Sequence, residues 1–253
     1  MIISFVIPAL NEGGRLPGFL DAIGRHLAGS GREDAAIEII VVDDGSRPDH
    51  LQMHRDAVSR LAGALVGRPH RAILYELATN RGKGEAIRRG WARSSSDAEW
   101  VGFVDADGAV PASELMRLTG MLASCGECDV LAGSRIRMAG RTIERSPFRH
   151  LQGRVFATFV EWILGLGFYD PQCGVKFFRA ASLRRLLGSL EERTWLLDVE
   201  ILSLIQRQGG RAREEPINWS DPGGSKLSLG IDPMKMFFGL WKLSRRLDRG
   251  AVN

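Results

Sequence analysis

Short apolar runs, each followed by a stretch of helical periodicity, set the frame for this chain. Residues 2–7, 37–42, 71–77, 100–104 and 130–133 carry mostly Ile, Val, Leu, Ala and aromatic side chains and have the length of buried strands. Helical patterns fill 15–27, 51–65, 83–93 and 112–122; in the first, Leu16, Leu20, Ile23 and Leu27 recur at helical spacing. Strands alternating with helices require right-handed crossovers and a mostly parallel sheet covered on both faces. The expected class is therefore α/β, with a Rossmann-like sheet flanked by helices. The second half reads differently. A long apolar stretch at 148–166 is interrupted by Gln152, Arg154 and Glu161. A short strand at 175–178, helices at 180–187 and 197–207, and a last strand at 212–218 follow. An amphipathic helix is expected at 233–249. No repeat or clear linker divides the chain, so we expect one domain at 1–232, then a C-terminal helix and tail at 233–253.

The sharpest chemical feature is Asp105-Ala106-Asp107, which directly follows the apolar run 100–104. A buried parallel strand ending in two carboxylates leaves them at the sheet's carboxyl edge, where ligands of open α/β sheets bind. Two hard oxygen donors there suit Mg²⁺ or Mn²⁺ shared with a substrate diphosphate. The plainer reading is an acidic loop capping the helix that starts near Pro111.

Three further segments occupy equivalent places. Pro8-Ala9-Leu10-Asn11-Glu12 ends the first strand in a polar turn. Asp43-Asp44-Gly45-Ser46 ends the second, and an acid there can accept from a base or ribose, or cap a helix. Asn80-Arg81-Gly82-Lys83-Gly84 follows the third strand and opens a helix, an arrangement that favours an anion without Walker A spacing. All four segments lie at carboxyl ends of strands and so converge on one edge.

Composition narrows the partners. With 253 residues, 44% hydrophobic and 25% charged, the chain has the make-up of a soluble globular protein. A net charge of +4 suits an anionic ligand or membrane face. No zinc-finger spacing, aromatic-interleaved basic patch or helix-turn-helix signature is visible, so no nucleic-acid partner is expected. Cys125, Cys128 and Cys173 are too few and odd in number for a secreted disulfide scaffold. Cys125-Gly126-Glu127-Cys128 lacks a second Cys/His pair and falls late in a predicted helix, so no metal or redox role is assigned to it. The apolar N-terminus has no basic n-region, and no stretch reaches the roughly 20 apolar residues of a spanning helix. The expected location is cytoplasmic, or peripheral on the cytoplasmic face of a membrane. Two segments qualify for that contact, 148–166 and 233–249. The second combines Phe237, Leu240 and Trp241 with Lys235, Lys242, Arg245, Arg246 and Arg249, and each cation near an anionic leaflet is worth about 1 kcal/mol. A helix docked on the domain or on a second subunit is the alternative. The oligomeric state is not legible.

Taken together, P-A-L-N-E, V-V-D-D-G-S, N-R-G-K-G-E-A and F-V-D-A-D resemble the inverting glycosyltransferases of family 2, which have the GT-A fold. Asp170-Pro171-Gln172-Cys173-Gly174-Val175-Lys176-Phe177-Phe178 is similar to the D-x-Q-C-G-x-K-x-F segment of the dolichyl-phosphate glucosyltransferase branch. Leu197-Asp198-Val199-Glu200 and the stretch from Asn218 through Ser225-Lys226-Leu227 match that branch too. The resemblance implies a UDP-hexose donor, glucose by preference, and a polyprenyl-phosphate acceptor. It implies that Asp44, with Pro8, Asn11 and Glu12, lines the nucleotide side together with Arg81 and Lys83. It places the metal and sugar diphosphate on Asp105 and Asp107, and Gln172 and Ser225 beside the substrates. Arg135, Lys176 and Lys226 would face the acceptor phosphate. A hydroxyl acceptor would instead need a base, for which Asp198 at the start of a helix is the candidate. A GDP-mannose donor is a further alternative. Eukaryotic members of the branch carry an N-terminal membrane anchor, whereas strand one begins here at residue 2.

Overall fold

The computed structural model describes residues 1–29, 35–220 and 233–250. In chain order the elements are β1 (Ile2–Ala9), α1 (Leu16–Gly29), β2 (Ala36–Asp43), α2 (Pro48–Ala64), β3 (Arg71–Glu76), α3 (Lys83–Trp91), β4 (Trp100–Val104) and α4 (Ala112–Met121). Then follow β5 (Val130–Ser134), β6 (Ile143–Glu144), α5 (Pro147–Leu164), β7 (Val175–Arg179), α6 (Ala180–Leu186), α7 (Leu197–Arg207), β8 (Ala212–Pro216), β9 (Trp219–Ser220) and α8 (Pro233–Gly250). A seven-stranded sheet runs in the order β3-β2-β1-β4-β7-β5-β8, and β6 pairs with β9 in a small second ribbon.

Alternate residues of each strand face opposite sides of the sheet, which gives two cores. Ile3, Phe5 and Ile7 of β1 pack with Leu16, Leu20 and Ile23 of α1 and Leu115 and Leu118 of α4. Val6, Ile40 and Phe103 point the other way, against Ile87 and Trp91 of α3 and against α5, α6, α7 and α8.

The sheet is mostly parallel, as the alternation requires, except for β7. That strand lies antiparallel between β4 and β5, with Val104 opposite Val175 and Trp100 opposite Arg179. Its direction matters for the site. An antiparallel strand brings the loop before it to the edge where its parallel neighbours end. The 170–174 loop thereby meets Asp105 directly, and the Asp105 N–H donates to Gly174 O at 2.9 Å.

Two sequence expectations are revised. Cys125 and Cys128 are joined by a disulfide and sit in the turn beyond α4 and a short 3₁₀ turn, not within a helix. The stretch 148–166 is neither wholly core nor wholly surface. Phe156, Ala157 and Val160 are buried, while Phe148, Leu151, Val155 and Trp162 are exposed. The C-terminal helix docks on the domain, burying Leu240, Leu243 and Leu247 in the second core. Its Arg246 donates to the buried carboxylate of Glu200 at 2.7 Å.

Candidate active site

The loops that end β1 and β2 are braced chiefly through backbone groups. Asn11, at φ 52°, accepts from Arg47 N–H, and its own N–H donates to Ser46 Oγ, both at 2.8 Å, so the β1 turn is tied to the β2 turn. Pro8 lies inside β1, paired in register with Val42. The Glu12 carboxylate takes two hydrogen bonds of 2.7 Å from Arg15. Asp43 is structural: His54 lies 2.7 Å from its carboxylate, and it accepts from Ser46 N–H. Asp44 is buried and accepts from the N–H groups of Arg81 at 2.7 Å and Gly82 at 2.9 Å. Burial raises its pKa despite those two bonds. Asp44 thus shapes the loop that precedes α3, while the Arg81 side chain is exposed. Gly45, at φ +73°, is required where these loops meet, because a Cβ there would lie 2.6 Å from Asn80 N.

Asp105 and Asp107 stand at the end of β4. Asp107 accepts from Ala109 N–H at 3.0 Å, and its pKa is raised, first by burial and then by the charge of Asp105. Lys83, the first residue of α3, reaches across with its ammonium 2.7 Å from Asp105 Oδ1. The two form a close ion pair, and among the described residues no other donor reaches Asp105 Oδ1. Burial opposes the Lys83 charge, but Asp105, Asp198 and Asp107 outweigh it and raise its pKa. Gly174 closes the far side: a Cβ there would sit 2.4 Å from Asp105 Oδ2. Among the described residues, no group of three or more His, Cys, Asp and Glu side chains forms a metal cluster. The oxygen donors at this strand end are the two carboxylates, with Asp105 Oδ1 turned toward the Lys83 ammonium.

On the acceptor side the structure differs from the sequence reading. Lys176, expected to face a phosphate, is fully buried and donates to Cys173 O at 2.7 Å and Asp198 Oδ2 at 2.9 Å. Its β7 position puts it between β4 and β5, on the inner side of the sheet edge. Asp198 is accordingly an ion-pair partner in the first turn of α7. Arg135, also expected to face a phosphate, forms a forked pair with Asp170 at 2.6 and 2.7 Å above the Trp219 ring. Burial alone would raise the Asp170 pKa, but Arg135 overrides it and holds the carboxyl at about 2. Burial pushes the thiol of Cys173 up to about 12. Gln172 is half-buried in the same loop. Ser225 and Lys226 lie outside the described residues.

Sequence reasoning missed the structural partners. Asp170 and Gly174 were visible in the D-x-Q-C-G segment, but their contacts with Arg135 and Asp105 were not. Glu214 on β8 accepts from Tyr169 and Asp170 N–H and anchors the same loop, with no signal in its own neighbourhood. Arg137, Arg145 and Arg154 gather around His150, whose pKa burial and then those cations lower.

A model of glycosyl transferase family 2 matches residues 4–187. The dolichyl-phosphate beta-glucosyltransferase of Dictyostelium discoideum is 31% identical over 258 residues, covering 95% of this chain and 76% of its own. The proteins of the same name from Saccharomyces cerevisiae and Homo sapiens are each 33% identical, covering 93% and 96% of this chain and 72% and 78% of theirs. Among solved structures, a Mycobacterium tuberculosis glucosyl-3-phosphoglycerate synthase with Mn²⁺, UDP and phosphoglyceric acid aligns at a TM-score of 0.68 and 19% identity. That alignment covers 96% of this chain and 78% of the other. The fold is accordingly GT-A.

Proposed function

The chain belongs to glycosyl transferase family 2, and on that premise we propose that it transfers glucose from UDP-glucose to a polyprenyl phosphate of the dolichyl type, with inversion. One observation carries the acceptor class. The 170–178 segment, one of those by which the sequence resembles the dolichyl-phosphate glucosyltransferase branch, lies against Asp105 through Gly174.

Asp105 and Asp107 would hold Mg²⁺ or Mn²⁺. The residues fit, because two carboxylates meet there and the Lys83 ammonium is the one cation set against Asp105 Oδ1 among the described contacts. When bound, such a cation offsets charge on the leaving diphosphate. Asp44 keeps the Asn80–Gly82 loop in shape on the nucleotide side. A lipid phosphate, with a second pKa of about 6, is already ionised near neutral pH and needs cations rather than a strong base. Arg137, Arg145 and Arg154, whose charges act on His150 together with that of Arg135, would supply such cations, Arg154 while bonded to Tyr169 O. Exposed Phe148, Leu151, Val155 and Trp162 on α5 and Phe238 and Trp241 on α8 offer apolar area for peripheral membrane contact. No helix among the described residues is long and apolar enough to cross a membrane.

A hydroxyl acceptor is the second reading. It would need a base other than a free Asp198, because that carboxylate is buried against Lys176. One experiment separates them. The protein is incubated with UDP-glucose, UDP-galactose or GDP-mannose, Mg²⁺ or Mn²⁺, and a short polyprenyl phosphate, and products are read by mass spectrometry. Glucosyl-phosphoryl-lipid formed from UDP-glucose supports the proposal. Donor hydrolysis without lipid product moves the reaction to a hydroxyl acceptor.

A further inference from the structure

Two lysines lie at the same aromatic ring, and they are held differently. Lys176 Nζ is 5.6 Å and Lys83 Nζ 5.4 Å from the centre of Phe103. Lys176 is fully enclosed, with a carbonyl and a carboxylate as fixed acceptors. Lys83 is partly exposed, and its closest partner is Asp105. Its backbone cannot shift easily. Asp44 binds the two preceding N–H groups, and Glu85 N–H donates to Arg193 O at 3.2 Å. Gly82 and Gly84 press against the carbonyls of Arg193 and Thr194, each leaving only 2.7 Å for a Cβ. Freedom is therefore confined to the four-carbon stem of the Lys83 side chain.

We propose that Lys83 is the resident counter-ion of the Asp105–Asp107 pair and yields Asp105 to the divalent cation when a nucleoside diphosphate arrives. The proposal rests on the glycosyl-transfer reading of this site. Its logic is electrostatic. An ammonium touching Asp105 Oδ1 and a divalent cation bound to that oxygen repel one another. A free cation must displace the ammonium with nothing else to hold it. A diphosphate gives the ammonium a new anion within reach of the same stem, so cation and nucleotide bind cooperatively through one side chain. Coupling of this kind is reciprocal: the nucleotide must tighten the cation by the factor by which the cation tightens the nucleotide.

Binding of Mn²⁺ is measured by electron paramagnetic resonance of the free ion, with and without UDP, in the wild-type protein and in Lys83→Met and Lys83→Gln. Thermal melting confirms that each variant is folded. In the wild type, UDP is expected to tighten Mn²⁺ strongly. Both variants should bind Mn²⁺ alone about tenfold more tightly, a change of about 1.4 kcal/mol, and lose the same factor from the UDP enhancement. Folded variants that bind Mn²⁺ alone no more tightly than wild type, with the UDP enhancement intact, overturn the exchange and leave the proposed function standing. A wild-type protein that binds no Mn²⁺ even with UDP removes both.

Discussion

The two sides of the proposed catalytic edge manage charge in opposite ways. On the donor side, Asp44 is buried and Asp107 half-buried; both have raised pKa values and accept from backbone N–H groups. Asp105 has a partly exposed lysine beside it. On the acceptor side, Asp170 and Asp198 each face a buried cation in a close, aligned ion pair. Acids without a buried, fixed counter-charge are poised to take a cation. Acids with a buried partner brace the fold and are spent on it. The comparison teaches that residue type alone does not identify a ligand; the state of compensation does.

Removing a cation on the acceptor side tests this with the largest expected effect. Lys176→Met leaves Asp198 buried beside an apolar chain, and breaking a buried pair in this way costs about 3–5 kcal/mol. Chemical denaturation should show that loss. A variant of wild-type stability would mean that the acceptor-side pairs do not brace the fold. On the donor side Asp107→Asn should behave in reverse. Turnover of UDP-sugar is expected to fall on the order of 10²–10³-fold, as when one preorganised charge is removed from a transition state. The melting temperature should not fall, because the raised pKa marks an acid whose ionised form the fold disfavours. A large drop in melting temperature would put Asp107 with the bracing acids.

Acid titration sharpens the same contrast. Asp170 is held at about 2 against an ordinary value of 3.8. Its contribution of about 2 kcal/mol is present in full above pH 4 and is lost as the pH falls through its folded value. A melting series from pH 5 to 2 should therefore show a steeper decline in wild type than in an Arg135→Met, Asp170→Leu double variant. Parallel declines would remove Asp170 from the stabilising set.

Much of the architecture was legible because strand and helix patterns are local. The run at 100–104 and the helix at 197–207 coincide with β4 and α7, and the four polar segments sit at strand ends because a strand's end follows from its pattern. The direction of β7 was not legible. Five residues, V-K-F-F-R, the first four of them buried, read the same in either orientation, and only the antiparallel choice brings Gly174 against Asp105. Pairings were hidden for the same reason. Arg135 and Asp170 are 35 positions apart, and Lys176 and Asp198 are 22 apart. Each cation, seen singly, read as a phosphate ligand. The Cys125–Cys128 bond and the two-residue β6–β9 ribbon left no periodic signal at all.

The smallest effect is expected where distance in sequence is large but burial is absent. Arg207 on α7 and Asp248 on α8 are 41 positions apart and meet at 2.7 Å, yet Asp248 is 64% exposed. If long-range pairing in itself braced the fold, Asp248→Asn would weaken it as breaking the Arg135–Asp170 pair does. Water screens the exposed pair, and ordering its side chains opposes the attraction, so the change should stay within about 0–1 kcal/mol and shrink further in salt. Denaturant midpoints at low and high salt measure it. A loss of several kcal/mol would mean that α8 is held by this surface contact. Otherwise its attachment is carried by Leu240, Leu243 and Leu247 in the core and by Arg246 on Glu200.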